Sequence, residues 1–269
     1  LTEVLVFDNK ELPIFVVAIG LSLVVNYLVS RFVVFRPSVA GSNARPAPPG
    51  QLHTERLPLE PILGSESWEI PEFDCLTFRP KKHRYALVIP VINEGDRIRR
   101  QLSELKKLAL PIDVVVADGG STDNASSADF METVDVSAVL TKAGPGKLSA
   151  QLRMAYAWCL RNHYMGIITV DGNGKDGVES VQKFVDKLEE GFDYVQGSRY
   201  RKSGVAENTP LDRAVGNRLV HAPMLSFAGR KWFTDTTNGF RAYSSRYLLD
   251  PRVAPFRDIF QKYELLFYL

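Results

Sequence analysis

Between Tyr85 and Ser198 short β-rich runs alternate with segments of helical periodicity, and that alternation leaves the chain few ways to fold. YALVIPVI (85–92) is followed by Ile98, Leu102, Leu105 and Leu108, spaced to share one helix face, and then by IDVVVAD (112–118). Next come SAVL (137–140), a helix carrying Leu148, Leu152, Ala155 and Cys159, and the run GIITV (166–170). A helix with Val178, Val181, Val185 and Leu188 and the strand DYVQGS (193–198) complete the series. The pattern predicts an α/β fold, a mostly parallel sheet between helices, in which ligands bind beyond the carboxyl ends of the strands.

The segment before Arg84 has a different character. Leu12–Ser30 is a run of 19 residues without a charge, about as long as a helix that crosses a bilayer. Arg31 and Arg36 bracket Phe32 and Phe35 just beyond it, which fits interfacial anchoring with the basic end on the cytoplasmic side. A transmembrane helix is expected in 1–36, with a signal segment or a buried soluble helix as the alternatives. Residues 37–80 hold eight of the sixteen prolines, so 37–83 is expected to be a proline-rich linker and 84–269 the folded domain. Leu1 is not methionine and the chain stops within an apolar run at Tyr268-Leu269, so a longer protein truncated at its C-terminus is expected.

Composition narrows the function classes. Hydrophobic residues make up 45% and charged ones 24% of 269, an ordinary globular balance that excludes a disordered or multi-span chain. A net charge of +2 argues against nucleic acid as a partner. Cys75 and Cys159 make neither a disulfide framework nor a zinc site, and His53, His83, His163 and His221 share no ligand spacing.

The expected strands end in polar or glycine-rich residues: Asn93-Glu94, then DGGSTDN (118–124), then DGNGKD (171–176). No GxGxxG or GxxxxGK[ST] cradle is present, which removes the dinucleotide and P-loop readings. Together with GSRY (197–200) and DTTNGFR (235–241), these motifs resemble, in order, those of inverting family 2 glycosyltransferases of the GT-A fold. Among them the polyprenyl-phosphate glycosyltransferases, of the dolichyl-phosphate mannose synthase type, are the most similar. NYLVSRFVVFRP (26–37) separately resembles the last helix of small GtrA-like membrane proteins.

The resemblance implies a membrane-associated enzyme that moves a sugar from a nucleotide diphosphate sugar to a polyprenyl phosphate. It assigns Pro90, Asn93, Glu94, Asp118, Gly119 and Asp171 to nucleotide-sugar binding. Turn formation by Asp118 before Gly119-Gly120, and helix capping by Asn93 and Glu94, are the bland alternatives. The family usually carries a second aspartate where this chain has Gly119. Asp171 and Asn173 stand where the family holds Mg2+ or Mn2+, with the amide of Asn173 in place of a second carboxylate and Lys175 in place of a glutamine. Asp176, followed by Glu179, reads better as part of a helix cap than as a ligand.

Between Arg199 and Arg246 nine Lys or Arg residues face three acids, an excess of +6. Solvated surface is the ordinary explanation, but an anionic lipid acceptor needs such charge. By resemblance Arg199, Arg213, Asn217 and Arg241 hold the acceptor phosphate, and Arg199 and Arg213 join Asp171 as catalytic residues. Two rivals stay open. One is transfer to a sugar hydroxyl, with Asp235 as a carboxylate base; the other is a non-catalytic, membrane-anchored nucleotide-sugar binder.

Overall fold

A computed structural model describes residues 62, 64–174, 177–198, 222–229, 234–235 and 238–269. The expected transmembrane segment and GtrA-like stretch lie outside them; among the described residues no helix is long and apolar enough to cross a membrane. Lys175, Asp176, Arg199, Arg213 and Asn217 also lie outside the described residues.

The centre of the sheet is β2 (Tyr85–Val91), with β3 (Asp113–Asp118) and β4 (Val136–Lys142) successively on one side and β5 (Gly166–Thr169) on the other, all parallel. On the flanks the direction reverses. β1 (Phe73–Thr77) runs antiparallel to β4, β7 (Arg241–Ser244) antiparallel to β5, and β6 (Tyr194–Gln196) antiparallel to β7. The order is β1-β4-β3-β2-β5-β7-β6, so the sheet is mixed and the expected parallel character holds only for its four central strands. The long excursion between β6 and β7 is what allows β7 to slot in beside β5, and no local sequence pattern encodes that.

The helices form a layer on each face. On one, Leu87, Ile89 and Val91 of β2 pack with Ile98, Leu102 and Leu105 of α1 (Asp96–Leu108). Val181, Phe184 and Val185 of α4 (Val181–Glu189) join the same cluster, as does Met131 of the short α2 (Ala128–Thr133). On the other face Ala86 and Val88 meet Leu152, Ala155, Tyr156 and Cys159 of α3 (Leu148–Arg161). With both faces covered, β2 and β3 are buried along their whole length, which is why they read as continuous apolar runs. The remaining described helices are α5 (Ala222–Gly229), α6 (Ser245–Leu248) and α7 (Glu264–Tyr268).

Part of the segment expected to be linker is packed structure. Residues 68–73 lie against the α3 face, where Trp68 stacks on Phe256 with ring centroids 4.1 Å apart. Glu69 N donates to Phe256 O at 2.8 Å, and the buried Arg153 of α3 donates to Glu69 O. β1 then adds a strand to the sheet, from Phe73 opposite Lys142 to Thr77 opposite Ala138. The folded unit therefore begins well before Arg84.

Candidate functional site

Strand connections lead from β2 to β3 and β4 on one side and to β5 on the other, so the chain reverses its direction of progress across the sheet between β2 and β5. At such a switch point the loops leaving neighbouring strand ends part and leave a crevice. Pro90 deepens it. Carbonyls of β2 alternate, Val88 O taking the Val170 N–H on the β5 side and Val91 O the Gly119 N–H on the β3 side. Pro90, lacking an N–H, faces the β5 side beyond Val88↔Thr169, where the ladder has already ended. No ladder bond is lost there, and Pro90 shapes the strand end.

One wall of the crevice is stitched from two loops. Asn93, with φ 52°, receives the Thr122 N–H on its Oδ1 at 2.8 Å, and its own N–H donates to Ser121 Oγ at 3.0 Å. Gly95 N donates to Asp123 Oδ2 at 2.8 Å. Gly95, not Asn93 or Glu94, occupies the N-cap of α1, and Glu94 Oε2 instead pairs with Arg97 Nε at 3.2 Å. Cross-loop bonds thus replace the local caps considered from sequence.

Asp118 sits at the end of β3 and is only 2% exposed. Its Oδ1 accepts the Gly120 and Ser121 N–H groups at 2.9 and 2.7 Å, and its Oδ2 accepts the Ser126 hydroxyl. Both oxygens are engaged in building the turn, as its bland alternative had it. Gly119 is required by its neighbour: a Cβ there would lie 2.7 Å from Nε2 of Gln151. That amide donates to Val91 O at 2.9 Å and Ala117 O at 3.2 Å, tying the ends of β2 and β3 together.

Across the crevice, Asp171 follows β5. Its carbonyl accepts Gln101 Nε2 at 3.0 Å, and a Cβ on Gly239 would come within 2.9 Å of its Oδ1, so the carboxylate lies against the Asn238-Gly239 turn. Gly172 is buried so closely that a Cβ would meet Val91 Cγ1 at 2.7 Å and Pro90 O at 2.9 Å. Asp171 and Asn173 are half-buried at this edge. Among the described residues no three His, Cys, Asp or Glu side chains gather as a ready metal cage. A carboxylate and an amide oxygen fit a hard cation that takes its remaining ligands from phosphate and water.

Arg241, expected at the acceptor phosphate, is buried. It is 4% exposed, its Nε donates to Asn238 O at 2.9 Å, and its Nη1 donates to Leu266 O. The guanidinium serves as a buried tie between the turn before β7 and α7. Asn238 is likewise committed, with Oδ1 accepting the Phe240 N–H at 3.1 Å and the carbonyl also taking Gln196 Nε2 at 2.9 Å. Asp235 is 1% exposed. His83 lies away from the crevice, with Nδ1 2.8 Å from Asp113 Oδ1, a satisfied histidine as expected.

Gln101 and Gln151 belong to no motif of the sequence. Each interrupts the apolar face of its helix, Gln101 between Ile98 and Leu102, Gln151 between Leu148 and Leu152, and a polar residue at a core position was the available signal.

The model of the family described as Glycosyl transferase family 2 matches residues 86–250. Polyprenol monophosphomannose synthase of Mycolicibacterium smegmatis is 26% identical over 178 residues, 65% of this chain and 66% of its own length. Glycosyltransferase AglJ of Haloferax volcanii is 30% identical over 171 residues, 64% of this chain and 54% of its own. An undecaprenyl-phosphate 4-deoxy-4-formamido-L-arabinose transferase of Serratia proteamaculans is 30% identical over 156 residues, 51% and 45% of the respective chains. The chain thus spans about half to two thirds of the length of these relatives. A solved glucosyl-3-phosphoglycerate synthase from Mycobacterium tuberculosis aligns at 18% identity over 72% of this chain and 63% of its own, with a TM-score of 0.43, too loose a match to carry residue roles.

Proposed function

The chain belongs to glycosyl transferase family 2, and from that premise we propose that it transfers a sugar from a nucleotide diphosphate sugar to a polyprenyl phosphate, with inversion. The observation that carries this is the gathering, at the carboxyl ends of β2, β3 and β5, of the stitched loops 91–95 and 119–123 with the Asp171 turn, which Gly172 brings against the end of β2. The named relatives that act on polyprenyl carriers support the acceptor class.

In this proposal the donor's nucleoside lies along Asn93 and Glu94, on a wall that Asp118, Gly119 and Pro90 hold in shape. Asp171 and Asn173 hold Mg2+ or Mn2+, which when bound neutralises the charge of the departing diphosphate. A phosphate monoester is ionised at neutral pH, so the acceptor oxygen needs no strong general base and rate comes from positioning and charge stabilisation. Arg199, Arg213 and Asn217, in the basic stretch of the sequence, pair with the acceptor phosphate. The apolar run Leu12–Ser30 tethers the domain to the membrane, with the basic flank Arg31 and Arg36 setting a cytoplasmic orientation.

Turnover is the test. The full chain in vesicles containing undecaprenyl or dolichyl phosphate is offered UDP-, GDP- and CDP-linked sugars with Mn2+. Labelled sugar should pass into the lipid fraction as an acid-labile phosphodiester. Labelling of a glycan hydroxyl in place of the lipid phosphate would overturn the acceptor assignment, and nucleotide binding without any transfer would leave a binding protein.

A further inference from the structure

A glutamine on the buried face of α1 is out of place energetically. Gln101 is 2% exposed and shares its face with Ile98, Leu102 and Leu105, and its Oε1 has no hydrogen-bond partner among the described residues. An orphaned buried acceptor is costly, and leucine or methionine would fill the space without it. What the side chain gains is one bond, from Nε2 to Asp171 O at 3.0 Å.

That bond falls just past the end of the ladder. The last ladder bond of this strand is Val170 N to Val88 O, and beyond it Gly172 packs against the end of β2. Fixing the Asp171 carbonyl fixes the peptide plane on which the following turn hangs, and with it the direction of the Asp171 Cα–Cβ bond. The carboxylate is also confined by Gly239, whose Cα lies so near that a Cβ would stand 2.9 Å from Oδ1. We propose that Gln101 is a positioning residue, an amide clamp from the helix layer that aims Asp171 at the cation it shares with the donor diphosphate. This rests on Asp171 being a cation ligand, as in the function proposed above.

The experiment uses the full chain and calorimetric titration with Mn2+, in the presence of whichever of UDP, GDP or CDP most raises the wild-type melting temperature. Gln101→Met, similar in length but without the donor, should weaken Mn2+ binding by roughly 10- to 100-fold, the range for removing a group that orients a metal ligand. Nucleotide affinity measured without metal should stay within twofold. Gln101→Leu, which suits the apolar face of α1, should lose Mn2+ affinity to the same extent. If Gln101→Met does not fold, Gln101→Leu decides. Mn2+ affinity within threefold of wild type in the variants, or equal loss of metal and metal-free nucleotide binding, overturns the clamp. A wild type without Mn2+-dependent nucleotide binding overturns the cation site and the clamp together, which separates the two failures.

Discussion

At Gly119 the requirement is set by a side chain 32 positions further along the sequence. Replacing this glycine with the aspartate usual in the family brings a Cβ to 2.7 Å from Gln151 Nε2 and pushes that amide off the carbonyls of Val91 and Ala117. Gly119→Asp should therefore cost about 1 to 3 kcal/mol of stability in urea unfolding, because the displaced Gln151 amide is a buried donor parted from its acceptors. Adding Gln151→Ala should recover part of it, a non-additivity that a double-mutant cycle would register. Gly239→Ala should weaken Mn2+ binding with little loss of stability, since its Cβ meets only the end of the Asp171 side chain. Calorimetry and thermal melting of the same variant check the two halves. Residue roles were only partly legible in the sequence. Asp118 was visible as an acid at a strand end, but the turn N–H groups and Ser126 that occupy it became apparent only in three dimensions. Arg241 followed a recognisable motif, yet its burial depends on α7, which the sequence does not tie to it.

Elements were more legible where they are long and covered on both faces. The apolar runs of β2 and β3 and the helical spacing of α1 and α3 announced themselves because burial on two sides or one stripe leaves a periodic mark. β1 left none. It is an edge strand of five residues whose last four are exposed, flanked by Pro71 and Pro80, and its pairing with β4 is contributed by the partner. A chain beginning at Arg84 discards β1 together with Trp68, Ile70 and Phe73, all packed on the α3 face. It should be less stable than a chain beginning at Ile62 by at least about 3 kcal/mol, the scale of removing one large aromatic from a core. Circular dichroism melts of the two should differ by several degrees, with the longer matching the full sequence. Equal melting temperatures would mean that the strap contributes nothing.

For the whole molecule, the response to alkali follows from where its phenols lie. Burial pushes the hydroxyl of Tyr85 up to about 12, and burial likewise raises those of Tyr156, Tyr164, Tyr194, Tyr243 and Tyr247. The unfolded chain releases these protons near pH 10 while the folded one holds them, so their contribution to stability is complete below pH 10 and is lost as the pH rises beyond it. The phenolate absorbance of these six rings should therefore appear in one cooperative step together with loss of the far-ultraviolet dichroism. Gradual appearance of the absorbance of all ten tyrosines while the dichroism persists would contradict the burial of these rings. The same compactness has a temporal side. Trp68 and Glu69 find their partners at Phe256 and Asp258, near the other end of the described chain. A ribosome adding about 5 to 20 residues per second needs on the order of 10 to 40 s to travel that far. Throughout that interval the segment around Trp68 can dock only on α3 and β4, and the part of this layer that Phe256 and Asp258 supply closes only after they have been made.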